Sequence, residues 1–128
     1  MSAQSNQIIR RGFTDIDEGQ VHYRTLEPEA KTDALPMVMC HGSPSSSLTF
    51  APLIKSFARS RKVFAPDTLG QGDSCPPVSM TEEMPYFAGA ALRAIDSVGI
   101  DKFDLYGTHT GASIAIEMAI TAPDRVNK

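Results

Sequence analysis

The chain has 128 residues and an apolar fraction of 41%, enough for one ordinary domain with its own core. Twelve basic and fifteen acidic residues leave a net charge of −3 with no basic block, which argues against a nucleic-acid groove or an anionic membrane surface and favours small neutral partners. No apolar run approaches the roughly 18 residues of a membrane helix, and the polar tail 1–7 has no signal-peptide core, so a cytoplasmic location is expected.

In chain order, Ile8–Asp17 and Gln20–Glu27 alternate apolar and polar residues and predict two antiparallel strands joined near Glu18-Gly19. Pro28–Leu35 is charged and loop-like, and Pro36–Cys40 is a continuous apolar run of the kind a buried central strand shows. After the polar turn His41–Ser47, apolar residues recur at Phe50, Leu53, Ile54, Phe57 and Ala58, one face of a helix with Thr49 as its predicted N-cap. Lys62–Pro66 predicts another strand, and a glycine-containing loop spans Asp67–Val78. Phe87, Ala91, Ile95 and Val98 mark a second helix that stops at Gly99.

Lys102–Tyr106 predicts a strand that runs into Gly107-Thr108-His109-Thr110-Gly111, and Gly111–Thr121 predicts a helix that is apolar nearly all round and expects burial on several sides. Strands alternating with helices of this length imply a mostly parallel sheet in a three-layer α/β/α arrangement, with an antiparallel N-terminal edge. Cys40 ends a buried strand and Cys75 lies in a Pro-rich loop, so two free thiols are expected, and neither has a metal-ligand spacing.

Strand, sharp turn and helix around His109 form a nucleophile-elbow pattern, Gly-x-Ser-x-Gly with histidine in place of serine. Two further features precede it in order: His41-Gly42-Ser43-Pro44 after one strand, and Ala65-Pro66-Asp67 with Gly70-Gln71-Gly72-Asp73-Ser74 after the next. Together these motifs resemble the α/β-hydrolase superfamily, nearest to the branch of epoxide hydrolases, haloalkane dehalogenases and small ester or carbon–carbon bond hydrolases. The resemblance runs from about Ile8 to Lys128 and matches the N-terminal half of such a domain.

The resemblance implies that Ser43 and Thr110 offer backbone N–H groups to an oxyanion hole and that His109 holds the nucleophile position. It implies no metal or organic cofactor. His41 resembles an imidazole that shapes its own loop, and Asp67, Gly70, Gly72 and Asp73 resemble a turn lining the cleft, whose carboxylates cap backbone groups. His22, in the edge strand, is expected to be solvated or packed. Ser113 is expected to bond an upstream carbonyl, and the side chains of Thr108 and Thr110 to diverge from the elbow tip.

Three readings of His109 stand together: attack on an acyl donor or base catalysis on water, a binding protein whose nucleophilic chemistry is lost, and an engineered or accidental replacement of serine or aspartate. The family's catalytic acid, general-base histidine and lid lie beyond the position matching Lys128. The implied strand order puts Phe103–Tyr106 in mid-sheet, so this chain leaves that strand with an unpaired edge beside an apolar helix. The expectation is therefore a hydrolase fragment acting on a small, largely apolar ester, epoxide or related substrate. Completion would come from a second chain carrying the remaining strands or from self-association through the open edge. The alternative is a catalytically silent ligand-binding or self-associating module on the same fold.

Overall fold

A computed structural model describes residues 7–78 and 83–128, so most of the polar tail, residues 1–6, lies outside the described residues. The two alternating segments form β1 (Arg10–Ile16) and β2 (Gly19–Leu26), antiparallel from Arg10 opposite Thr25 to Ile16 opposite Gly19. The next apolar runs are β3 (Met37–Cys40), β4 (Val63–Pro66) and β5 (Asp104–Gly107). The sheet order is β1-β2-β4-β3-β5, with β4 and β5 both parallel to β3 and β2 antiparallel to β4.

Side-chain alternation divides the core into two layers. Val38, Cys40, Phe64 and Phe103 face one way, towards Ala88, Leu92 and Ile95 of α2 (Met84–Ser97) and Ile114 and Met118 of α3 (Thr110–Thr121). Met39, Val63 and Ala65 face the other way, towards Phe50 and Ile54 at the start and middle of α1 (Ala51–Phe57). Full burial of a side chain such as Ile54 or Phe103 contributes about 1.5–3 kcal/mol each, so both layers are needed to hold the sheet.

This arrangement opens a crevice at the carboxyl ends of the strands. The neighbours β3 and β5 are followed by helices on opposite faces, α1 after β3 and α3 after β5, so their carboxyl-end loops diverge. In an open α/β sheet the crevice at such a switch point is the binding position. It lies between the loop after Cys40 and the elbow at His109.

Three expectations need correction. Thr49 does not cap the first helix: the chain enters α1 through a 3-10 turn, Ser47–Phe50, and the extended Ser46 accepts the Leu48 N–H through its side chain at 3.2 Å. Thr49 lies inside that turn, its N–H bonded to the Ser46 carbonyl, so it is past the capping position.

The third helix is not buried all round: α2, β3 and β5 cover one side of it, while Ile116 and Ile120 are 60% and 66% exposed. Finally, β5 is the last strand of the sheet, yet its outer edge is partly paired. Phe103 N–H bonds the Arg125 carbonyl (2.9 Å), Asn127 N–H bonds the Phe103 carbonyl (2.9 Å) and Leu105 N–H bonds the Lys128 carbonyl (2.7 Å). The segment after α3 thus lies parallel along the first half of β5 and leaves the end nearest the elbow open.

Candidate active site

The elbow is a tight turn built by its backbone. Gly111 N–H bonds the Thr108 carbonyl at 2.8 Å, closing a four-residue turn, and His109 takes φ 53 and ψ −125 at its second position. Those angles are near the first central residue of a type II′ turn, which favours glycine; a side chain there is strained by about 1–3 kcal/mol. His109 is the single non-glycine residue with positive φ among the described residues.

Two glycines make the turn possible. A Cβ on Gly107 would lie 2.5 Å from the Gly111 carbonyl oxygen, and one on Gly111 would collide with the Cys40 and His41 carbonyl oxygens. Helix α3 is therefore seated directly against the end of β3 and against its own incoming strand. The His109 side chain projects outward, exposed, and makes no hydrogen bond within the described residues.

Opposite the tip stands the Ser43 loop. Gly42 approaches so closely that a Cβ there would be 3.0 Å from the His109 Cβ. His41 is 1% exposed and shapes this loop as the sequence suggests: its Nε2 accepts the Thr68 N–H at 2.9 Å, so Nδ1 carries the proton and donates to the Gly42 carbonyl at 2.8 Å. The loop is also clamped by Gln71, whose Nε2 donates to Ser43 Oγ (2.7 Å) and whose Oε1 accepts the Ser45 N–H (3.3 Å).

The expected oxyanion donors differ in state. The Thr110 N–H opens α3 and has no intrahelical acceptor, as the geometry of a helix start requires. The Ser43 N–H already donates, at 2.7 Å, to Thr110 Oγ1. The Thr110 side chain therefore turns into the crevice, contrary to the expected divergence, because the Ser43 peptide offers it a donor there. Ser113 is exposed and bonds no carbonyl, so its expected back-bond is absent as well.

Beneath the site lies a polar hub centred on Asp67, which is 2% exposed. Its Oδ1 accepts the Ser47 N–H (2.8 Å), and its Oδ2 accepts from the Asp73 N–H (3.0 Å) and from His22 Nδ1 (2.9 Å). Burial alone would raise this carboxyl, but the hydrogen bonds from Asp73, Ser47 and His22 outweigh it and hold Asp67 below the usual carboxylate range. His22, 1% exposed, is packed rather than solvated, and its Nε2 accepts from Arg11 Nε at 3.0 Å.

Asp67, His22 and Asp73 bring their ligating atoms close enough for a metal ion. The Arg11 guanidinium, however, already pairs with both His22 and Asp73, and His22 Nδ1 carries the proton it gives Asp67. Such a donor set serves as structural mortar and does not fit a cation. Cys40 lies under the crevice, where burial pushes its thiol up to about 12, far from a nucleophile; Cys75, half-buried, is also unpaired.

The sequence pattern identified His41, Ser43, Asp67 and the elbow. It passed over Gln71 and Arg11 and turned the Thr110 hydroxyl away from the crevice; the contacts of all three join residues far apart in the chain. The Gly-Gln-Gly spacing around Gln71 was the one local signal, since a side chain between two flexible residues can fold back over a neighbouring loop.

A sequence profile of the alpha/beta hydrolase fold matches residues 36–128, most of the chain and all of the crevice. The chain belongs to the α/β-hydrolase fold family. It is 33% identical over 96 residues to the 2-hydroxymuconate semialdehyde hydrolase of Pseudomonas sp. (strain CF600), covering 73% of this chain and 34% of that protein. To haloalkane dehalogenase 2 of Mycobacterium tuberculosis (strain ATCC 25618 / H37Rv) it is 27% identical over 112 residues, covering 88% and 37%.

Among solved structures, naproxen esterase from Bacillus subtilis superposes with a TM-score of 0.84 at 25% identity, over 95% of this chain and 42% of that one. An epoxide hydrolase mutant of Vigna radiata superposes at 0.79 and 25% identity, over 92% and 36%. This α/β-hydrolase chain therefore spans well under half the length of these relatives. Its hydrolase neighbours include esterases, epoxide hydrolases and dehalogenases, and no helix among its described residues is long and apolar enough to cross a membrane.

Proposed function

We propose that this chain supplies the nucleophile-elbow half of a hydrolase acting on a small, largely apolar ester, epoxide or related substrate. The observation that carries the reading is the strained, exposed His109 beside the Thr110 N–H at the start of α3. Strain of this kind persists where a fold holds a side chain out for use, and a helix N-terminus is a fixed donor for developing negative charge. Ser43 lies across the crevice and contributes to the same pole. His109 is the residue we place at the reacting centre, as nucleophile or as base on water.

Completion of the site requires an acid and a base from elsewhere. His41 and His22 are both committed to other partners, and the buried Asp67 is fully engaged in its hub. The open half of the β5 edge, with exposed Ile116 and Ile120 nearby on α3, is where further strands would add, from the same polypeptide, from a second chain or from another copy.

Hydrolysis of a panel of p-nitrophenyl esters by the assembled protein tests the proposal. Turnover that His109→Ala abolishes is the expected result, and turnover indifferent to that change removes His109 from the chemistry. A second reading, a ligand-binding module without nucleophilic chemistry, is favoured by the lack of any hydrogen-bond partner on the His109 imidazole among the described residues. Activity that is absent in the wild type and appears in His109→Ser would establish it.

A further inference from the structure

We propose that the Thr110 hydroxyl is itself a catalytic donor, relaying the Ser43 N–H to the negative charge that develops in the crevice. The inference rests on the hydrolytic reading above and deepens it. A simple pair of backbone donors would leave the Ser43 N–H open, but Thr110 Oγ1 lies 2.7 Å along it, in the place an oxyanion would otherwise take. Ser43 is held in that pose by a second clamp, since Gln71 Nε2 bonds its Oγ and Gln71 Oε1 bonds the Ser45 N–H. The peptide therefore cannot swing its N–H elsewhere without breaking two side-chain contacts.

A hydroxyl has one proton to give and lone pairs to accept. Because Ser43 donates to Thr110 Oγ1, the hydroxyl proton is left to point away from Ser43, and no acceptor for it exists among the described residues. A donor that is also accepting from an N–H is polarised by it, which strengthens the bond it makes in turn. Thr110 then presents two donors of its own, N–H and O–H, to one anion, while Ser43 acts through the hydroxyl.

The test compares Thr110→Ser, Thr110→Val and Thr110→Ala, with thermal melts to confirm folding. In the assembled enzyme with p-nitrophenyl acetate, Thr110→Val and Thr110→Ala should each lower kcat about 100-fold with KM changed by no more than about threefold, the size of loss seen for one oxyanion donor. Thr110→Ser keeps the hydroxyl and should recover most of the rate. If Thr110→Ala equals or exceeds the wild type, the hydroxyl is a plug over the Ser43 N–H and the relay is wrong.

A binding arm separates this inference from the hydrolase reading. Acetate, titrated into the 128-residue chain and followed through the Thr110 and Ser43 amide resonances, should bind the wild type and Thr110→Ser alike and Thr110→Val at least fivefold more weakly. Equal affinity in wild type and Thr110→Val, or no acetate binding to the wild type, overturns the relay. A relay supported by acetate in an assembled protein that turns over neither esters nor epoxides leaves Thr110 standing as an anion donor and overturns the hydrolase reading alone.

Discussion

On the hairpin side of the sheet, charged side chains close the gaps between elements. Arg93 of α2 grips Glu18 at the β1–β2 turn through two bonds of 2.7 and 2.9 Å, Tyr86 donates to the same carboxylate, and Arg11, His22, Asp67 and Asp73 lock the next loop to the strands. On the β5–α3 side, the start of the strand is held by backbone register and by charged and polar anchors, among them Arg61 on Asp104 and Arg125 on Asp96. Arg125 bonds the Ile100 and Asp101 carbonyls, and Asn127 bonds Asp104; beyond them the helix shows isoleucine to solvent. The hairpin flank is closed with directional bonds, whereas on the other flank such bonds stop at the start of β5 and leave an apolar helix face and the elbow end of the strand edge open. The crevice sits on the seam, resting on the Asp67 hub and projecting His109 from the open side.

The sharpest way to break this contrast is to strike the seam. Gly111→Ala drives a methyl into the Cys40 and His41 carbonyls, neither of which can yield without moving β3, and should cost about 3 kcal/mol or prevent folding, read from urea denaturation. On the closed flank, Asp67→Asn should cost about 2 kcal/mol, because an amide cannot accept from Ser47, Asp73 and His22 together.

The closed flank should also be the acid-sensitive one. Asp67 and Glu18 both titrate below their ordinary values, Asp67 for the reasons given and Glu18 chiefly through its Arg93 bonds. A carboxyl lowered in the folded state adds stability that is fully present above its unfolded pKa, about 4, and is lost as pH falls through the folded value. Melting temperature should therefore hold between about pH 7 and pH 5 and drop below about pH 4. Asp67→Asn should flatten that drop; a melt equally acid-sensitive in the variant would show that the hub does not set it.

Smaller effects sharpen the other flank. His109→Gly removes the positive-φ strain and should stabilise the fold by about 1 kcal/mol in the same urea assay while removing the imidazole. Replacing Ile116 and Ile120 together by lysine should change the stability of the chain by less than about 0.5 kcal/mol, since both are already exposed. If the open flank is a joining surface, the same pair should abolish association in sedimentation or light scattering.

What could be read in the sequence divides along similar lines. Elements set by local periodicity were legible: the hairpin, the parallel run and the glycine-flanked elbow follow from spacing and turn chemistry, and the structural role of His41 from the family resemblance. Only a few residues shift at their ends. The Thr49 cap was misplaced because the chain takes a 3-10 turn before α1, a choice governed by Ser46 and the packing of Phe50.

The backbone-capping role of Asp67 was legible, but its tie to His22 and the Thr110–Ser43 contact were not, because those partners lie 45 and 67 residues apart. The exposure of Ile116 and Ile120 was hidden for a different reason. Periodicity reports how apolar a helix is, and burial depends on what stands beside it.

The hydrogen bond from Gly111 to Thr108 and the glycine contacts on both sides of the elbow involve no side-chain atom of residue 109. The turn is thus closed without its side chain, although Gly42 packs against the first carbon of that side chain. A change at that one position can exchange the projecting group while the turn bond and the helix seat stay as they are, so what the tip presents can diversify faster than the architecture that presents it.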